Sequence, residues 1–91
     1  MVVPTHIRKL ALRYGAQDIK VSNVGKKKYA VLYKGKWIHF GHIDYEDFTQ
    51  HHDPERRRRY RKRASKIINK EGQFTYRIKT TPNFWAYHVL W

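Results

Sequence analysis

Residues 53–69 read DPERRRRYRKRASKIIN, and this stretch predicts one helix around which the rest of the chain is organised. Asp53 is suited to cap this helix and Pro54 to begin it, while Glu55 would lie where the helix dipole favours a negative charge. No glycine or proline follows until Gly72, so we expect the helix to extend over residues 53–69.

The predicted helix combines an apolar stripe with a strongly basic remainder. The stripe, which we expect to pack on the core, has helical spacing and consists of Tyr60, Ala64, Ile67 and Ile68. Four cations point away from it on a helical wheel and are first-rank candidates for phosphate contacts: Arg58, Arg59, Lys62 and Lys66. The second-rank candidates are Lys26, Lys27, Lys28, Arg56, Arg57, Arg61 and Arg63. Three arginines flank the stripe, and we expect nearby acids to pair with them: Arg56, Arg57 and Arg63 with Asp44, Glu46 and Asp47.

The whole chain carries a large excess of positive charge. It has 20 lysines and arginines against 7 aspartates and glutamates, which gives a formal net charge of +13. Self-repulsion at this charge destabilises a compact monomer, and a polyanionic partner relieves it. Surface charge that serves only solubility is normally mixed in sign. The composition therefore favours nucleic acid over an anionic membrane surface as the partner; of the nucleic acids, we expect DNA rather than RNA.

Several classes of protein are excluded by what the sequence lacks. It has no cysteine, so it forms neither a disulfide framework nor a thiolate metal site. No apolar run approaches the roughly 20 residues of a membrane span, and no signal-peptide pattern opens the chain. We therefore expect an intracellular protein with no membrane partner. We also expect no cofactor and no enzymatic activity.

The periodicity along the chain predicts a single α+β domain over residues 1–91. Residues 1–15 have the spacing of a short amphipathic helix, with a basic arm as the alternative. Residues 18–40 alternate and predict a three-stranded antiparallel meander, to which residues 74–79 could add a fourth strand. Residues 82–91 form an aromatic C-terminal segment. The predicted fold is thus a small antiparallel sheet with one long basic helix and short terminal helices.

Two groups of aromatic residues have alternative interpretations. Tyr29, Tyr33 and Trp37 resemble a platform for stacking single-stranded bases, but in so small a domain we favour half-buried sheet positions. The apolar C-terminal segment either closes the core or docks on another subunit, and the residues of that possible homo-oligomer contact are Trp85, Leu90 and Trp91.

Histidines and acids cluster between the predicted sheet and the basic helix. The residues concerned are His39, His42, His51, His52, Asp44, Asp47 and Asp53. A histidine base with a metal held by His or Asp would suit a nuclease, and a closed zinc site is also conceivable. The spacing matches neither arrangement well, and residues beside a helix start have capping roles. We therefore predict no catalytic and no metal-binding residues.

A combined pattern over residues 28–91 resembles a family of small basic proteins from large double-stranded DNA viruses and some phages. The residues that carry it are Lys28, Tyr29, Val31, Gly35, Lys36, Ile38, His39, Phe40, Gly41, Asp44, Tyr45, Asp47, Phe48, Thr49, His51, Asp53, Arg56, Arg57, Tyr60, Arg63, Phe84, Trp85, Leu90 and Trp91. Pro82 and Asn83 stand where that pattern has Ala-Gly. The resemblance implies a viral origin and a location in the virion or infected host cell. It implies no catalytic residues.

Together these features predict a nucleic-acid-binding protein without sequence preference, of the kind that condenses or packages viral DNA. One alternative is a virion structural or interaction protein, such as a minor capsid or scaffold component, without direct DNA binding. The other is a metal-dependent nuclease.

Overall fold

The computed structural model describes residues 2–91, in which helices cover one face of a three-stranded antiparallel sheet. The elements in chain order are α1 (Thr5–Arg13), β1 (Asp18–Val21), β2 (Tyr29–Tyr33), β3 (Lys36–Phe40), α2 (Phe48–His51), α3 (Pro54–Ala64), a 3₁₀ turn (Thr75–Arg77), α4 (Pro82–Trp85) and a π-helical turn (Ala86–Leu90). The predicted α+β class and the meander are confirmed. No helix within these residues is both long enough and apolar enough to cross a membrane.

The register of the sheet separates the two faces of its middle strand. Val31 pairs with Ile19 on β1 and Ile38 on β3, and all three are buried against the helices. Leu32 pairs with Trp37, so Trp37 lies on the opposite face, where Lys20 Nζ is 4.3 Å from its ring centroid. The possible stacking platform is therefore wrong, because Tyr29 and Tyr33 lie on the other face, at the positions that alternate with Ala30 and Leu32.

The N-terminal helix forms because its apolar residues recur on one side. Ile7 and Ala11 are buried on that side, as their spacing predicts. The helix ends at Arg13, and Gly15, two residues later, has a φ of +103°, which glycine adopts at little steric cost. The amide of Ala16 then donates to the carbonyl of Ala11 at 3.0 Å, which satisfies one of the free carbonyls at the helix end.

The aromatic C-terminal segment completes the core. Trp85 and Leu90 are 0% and 1% exposed, and the indole Nε1 of Trp85 donates to the carbonyl of Lys79 at 2.7 Å. These two residues are therefore not available as the predicted oligomer contact. Trp91 is half-buried and stacks on Tyr60 within the same chain, with ring centroids 4.2 Å apart.

The basic helix is shorter than predicted, because α3 ends at Ala64 rather than at residue 69. The side-chain amide of Asn83 donates to the carbonyl of Ala64 at 3.0 Å, and the amide of Thr75 donates to the carbonyl of Ile67 at 3.0 Å. These contacts occupy carbonyls that a longer helix would use for its own next turns.

The end of α3 changes the surroundings of the residues that follow it. Ile67 and Ile68 are 49% and 55% exposed, so the predicted apolar stripe stops at Ala64. Residues 74–79 do not form a fourth strand. Phe74 makes a single bridge to Ile68, and the 3₁₀ turn follows directly.

Candidate nucleic-acid interface

The start of α3 is fixed by local sequence in the predicted way. The Asp53 carboxylate accepts hydrogen bonds from the amides of Glu55 at 3.0 Å and Arg56 at 3.3 Å, and Pro54 opens the helix. These bonds satisfy amides that have no partner inside the helix. The ring Nδ1 of His51 in turn accepts from the amide of Asp53 at 2.9 Å. Asp53 and His51 together stabilise the first turn of α3, the helix from which the arginines project.

Two arginines of α3 face the inside of the protein. The Nε atoms of Arg57 and Arg61 donate to the main-chain oxygen of Trp91 at 2.7 and 3.2 Å. Their guanidinium carbons lie 4.7 Å from the ring centroids of Phe48 and Tyr87, respectively. Both side chains therefore fasten α3 to the C-terminal segment and are poorly placed as phosphate contacts. The predicted ion pair between Arg57 and an acid of the connector (residues 42–52, between β3 and α3) is wrong.

The outward side of α3 carries Arg58, Lys62 and, just beyond the helix end, Lys66. Arg58 Nε donates to Glu55 at 3.2 Å, and this contact lowers the pKa of the Glu55 carboxyl and raises the pKa of the Arg58 guanidinium. Lys62 and Lys66 are exposed, and neither has a carboxylate within 4.0 Å in the described part of the chain. Of the first-rank candidates, Arg58 thus has a partner, whereas the two lysines remain free.

The acids between β3 and α3 pair mainly with lysines rather than with arginines. Lys28 Nζ is 2.6 Å from Asp47, and the two side chains are 10% and 4% exposed. Lys26 Nζ is 2.8 Å from Asp44. Of the predicted acid–arginine pairs, the structure has only Arg56 with Glu46, at 4.0 Å, within residues 2–91. Lys26 and Lys28 are therefore neutralised, while Lys27 stays exposed and unpaired in that range.

Asp47 has a second role, because it caps α2. Its carboxylate accepts from the amide and the hydroxyl of Thr49, and the side chain of Gln50 accepts from the Asp47 amide at 3.0 Å. This reciprocal arrangement satisfies two amides at the helix start. Asp47 is thus both the N-cap of α2 and the partner of Lys28.

A cleft of about 550 Å³ separates α3 from the segment that follows β3. We call it the basic cleft and define it by Arg56, Arg59 and Arg63 on α3 and by Lys27, His42 and Tyr45 opposite them. Tyr60 and Trp91 also line it, and burial raises the pKa of the Tyr60 phenol. Arg59 was predicted to point outward with Lys62, but the helix turns it into this cleft instead.

The basic cleft depends on residues that pattern analysis missed. Tyr45 is 70% exposed, and its ring centroid lies 4.9 Å from that of His42. Both residues lie in the irregular part of the connector, where the sequence has no periodicity. Only their aromatic character therefore marked them as candidates for a binding site. The three arginines of the cleft are spaced i, i+3 and i+7 along α3, which places them on one side of a helix. The spacing of the three arginines could be recognised from the sequence. No sequence feature predicted that the connector lies opposite them.

The histidine and acid residues do not gather into a metal site. No group of three or more His, Asp or Glu side chains suited to a metal ion occurs in residues 2–91. His39 Nδ1 lies 2.7 Å from the Ser22 hydroxyl, and His42 Nδ1 accepts from the amide of Asp44 at 3.1 Å. Asp53 and the Nδ1 of His51 are engaged at the α3 cap, whereas His51 Nε2 is buried without a hydrogen-bond partner in the described part of the chain.

Comparison with known proteins gives one match. Residues 17–64, more than half of the chain, match the model of a family described as a family of unknown function (DUF5754). No curated protein and no solved structure matches the chain. The matched residues comprise the sheet, the connector and α3, and so include every residue that defines the basic cleft.

Proposed function

The chain belongs to this family of unknown function, and because that description assigns no activity, we propose from the chain's own charge and geometry that it binds nucleic acid without sequence preference. We propose DNA rather than RNA as the ligand, because the sequence resembles small basic proteins of double-stranded DNA viruses. In that setting the protein would condense or package the viral genome in the infected cell or the virion.

The observation that carries the proposal is the concentration of unpaired positive charge around α3. Five of the 20 lysines and arginines have a carboxylate within 4.0 Å in residues 2–91. Arg59, Arg63, Lys62 and Lys66 are exposed and outside these pairs, and Lys27 lies across the basic cleft from α3. Phosphates that meet these side chains release condensed counterions, which drives binding.

Binding without sequence preference follows from the residue types on α3. Its exposed side chains are arginine and lysine apart from Pro54 and Glu55. A guanidinium fork fits the oxygens of a phosphate, and every nucleotide offers the same phosphate. Base readout commonly adds Asn or Gln among the exposed helix positions, and α3 has none. The helix therefore suits contacts to the backbone of the nucleic acid.

The proposal is tested by the salt dependence of binding to a mixed-sequence duplex. Arg58, Arg59, Lys62 and Lys66 are replaced together by glutamine. Because Arg58 is already held by Glu55 and Arg59 turns into the basic cleft, we count two lost phosphate contacts on a duplex, at Lys62 and Lys66. The log–log slope of affinity against salt should therefore become shallower by about 1.8. Binding is measured by fluorescence anisotropy between 50 and 200 mM salt, roughly the range over which such contacts dominate.

The matched control removes four exposed charges elsewhere, at Lys9, Arg13, Lys34 and Lys36. Both variants then have the same net charge, and circular dichroism checks that both keep the fold. The control should retain most of the wild-type slope. An equal change in the two variants would show that total charge, not α3, governs binding. A wild-type protein that does not bind the duplex at any of these salt concentrations would refute the proposal.

A further inference from the structure

The basic cleft has a shape and a lining that binding through an exposed helix face does not require. We infer that it receives an unpaired nucleotide, with a phosphate held by Arg59, Arg63 and Lys27 and a base stacked on Tyr45, so that single-stranded segments bind more tightly than duplex. This inference rests on the proposed function and deepens it, because it names the form of nucleic acid that the site prefers.

The size of the basic cleft limits what enters it. Its volume of about 550 Å³ lies within the roughly 300–1,000 Å³ range of small-molecule sites. A nucleotide fits such a space. A double helix does not, because it is wider than its own major groove, which is already about 12 Å wide. Nucleotides can enter the cleft only where the base is free of its partner strand. A duplex can therefore contact only the outward side of α3, where Lys62 and Lys66 lie.

The charges in the basic cleft favour a phosphate between its two sides. Lys28 is neutralised by Asp47 and Arg56 lies 4.0 Å from Glu46, so the unpaired cations of the cleft are Arg59, Arg63 and Lys27 among the described residues. The guanidinium carbon of Arg63 is 5.7 Å from the ring centroid of Tyr60. That contact orients Arg63 along the cleft before any ligand arrives.

The aromatic residues divide into a stacked pair and Tyr45, whose ring is tilted by 59° against that of His42 and is not stacked on it. Tyr60 and Trp91 stack on each other at 4.2 Å and an angle of 9°, so those two faces are occupied. Tyr45 is 70% exposed. An isolated exposed tyrosine is ordinary, but this one lines the same space as three unpaired cations. Aromatic side chains beside a basic groove are the usual platform for unpaired bases, because every base has a face that stacks.

Two acids line the basic cleft: Asp47, which is paired with Lys28, and Glu46, which provides a second measurement. Glu46 lines the cleft, is 61% exposed and lies at the long distance of 4.0 Å from Arg56. Its charge repels a phosphate that Arg59 and Arg63 attract. Replacing it by glutamine keeps its size and removes that repulsion, so Glu46→Gln should raise affinity for a single strand more than affinity for a duplex.

The inference is tested with a labelled oligothymidine of 12 nucleotides and a hairpin duplex of equal phosphate number at one salt concentration. The wild-type protein should bind the single strand more tightly. Tyr45→Ala should weaken single-strand binding by about 5- to 150-fold, the effect of one lost base stack, and leave duplex binding within about twofold. Tyr45→Phe should bind as the wild type does, because the stacking face is kept.

Trp37→Ala is the control, because Trp37 is another exposed aromatic residue but lies on the open face of the sheet. It should leave both affinities unchanged. Equal loss on both nucleic acids for Tyr45→Ala, or a single-strand loss for Trp37→Ala without one for Tyr45→Ala, would overturn the cleft assignment while leaving the proposed function standing. Failure of the wild-type protein to bind either oligonucleotide would instead refute the proposed function itself.

Discussion

Lys28 and Asp47 form an ion pair that is enclosed by the protein, unlike the other four ion pairs in residues 2–91. Their side chains are 10% and 4% exposed, and Gln50 accepts a second hydrogen bond from Lys28 Nζ at 2.7 Å. A charge in such surroundings needs its partner, because removing one member leaves the other poorly solvated. Lys28→Met should therefore lower the free energy of unfolding by about 3–5 kcal/mol, measured by urea denaturation.

The control distinguishes the cost of leaving the Asp47 carboxylate without its partner from the cost of losing the ion pair itself. Adding Asp47→Leu to Lys28→Met removes the stranded charge, so most of the stability should return, except about 1 kcal/mol for the lost α2 cap. Lys26→Met breaks the pair with Asp44, whose members are 66% and 50% exposed, and should change stability by less than about 1 kcal/mol. A similar small effect for Lys28→Met would show that water reaches its ammonium group.

At the scale of elements, α3 shows which features local sequence determines. Its start was predictable, because Asp53, Pro54 and Glu55 act on amides within their own turn. Its end was not, because Asn83 and Thr75 take the carbonyls of Ala64 and Ile67 from distant positions in the chain. The same holds for the strands. Their alternation predicted the meander, whereas the face on which Trp37 lies depended on the pairing register.

The Asn83 side chain should therefore stabilise both the end of α3 and the 3₁₀ turn. It donates to the carbonyl of Ala64 at 3.0 Å and to the hydroxyl of Thr75 at 2.9 Å, and Ala64 is only 2% exposed. Asn83→Ala removes both of these hydrogen bonds and leaves the Ala64 carbonyl with only the Ile67 amide, at 3.3 Å. At about 0.5–1.5 kcal/mol for each lost bond, it should cost about 1–3 kcal/mol in urea denaturation. NMR chemical shifts of residues 65–68 report whether α3 then lengthens or frays.

Asn69→Ala is the matched control, because Asn69 also has side-chain hydrogen bonds but lies in an exposed loop. Its side-chain oxygen accepts from the amides of Glu71 and Gln73 at 3.0 and 2.9 Å. Since water can replace it there, we expect a loss below about 1 kcal/mol. If both alanine variants lost the same stability, the buried contact at Ala64 would not be what ends α3.

For the whole molecule, the sequence predicted how much charge there is but not which charges are free. Composition alone indicated a polyanionic partner. The helical wheel placed Lys62 correctly on the exposed side, whereas Lys66 is exposed but lies beyond the end of α3. The fates of Arg57 and Lys28 depended on contacts to Trp91 and Asp47, which are 34 and 19 positions away in the chain. Such pairings follow from the packed fold, and so does the basic cleft, which joins a helix side to an irregular connector.

The charge of the whole molecule leads to a prediction about stability without any ligand. The formal net charge is +13, and the Cα radius of gyration is 12.6 Å, whereas an unfolded chain of this length extends to about 30 Å. Folding therefore brings like charges together. Raising NaCl from about 0.01 to 0.15 M shortens the Debye length from about 30 to about 8 Å, and the free energy of unfolding should rise. Urea is the suitable denaturant, because it adds no ions.

The glutamine variant at Arg58, Arg59, Lys62 and Lys66 tests the cause of this rise. It lowers the formal net charge from +13 to +9. Because repulsion scales with the product of the charges, the gain from salt should fall to about half. The exposed ion pairs act in the opposite direction, since salt weakens them. Stability that falls with salt would mean that these attractions outweigh the net repulsion, and the excess charge would then need no polyanion to offset it.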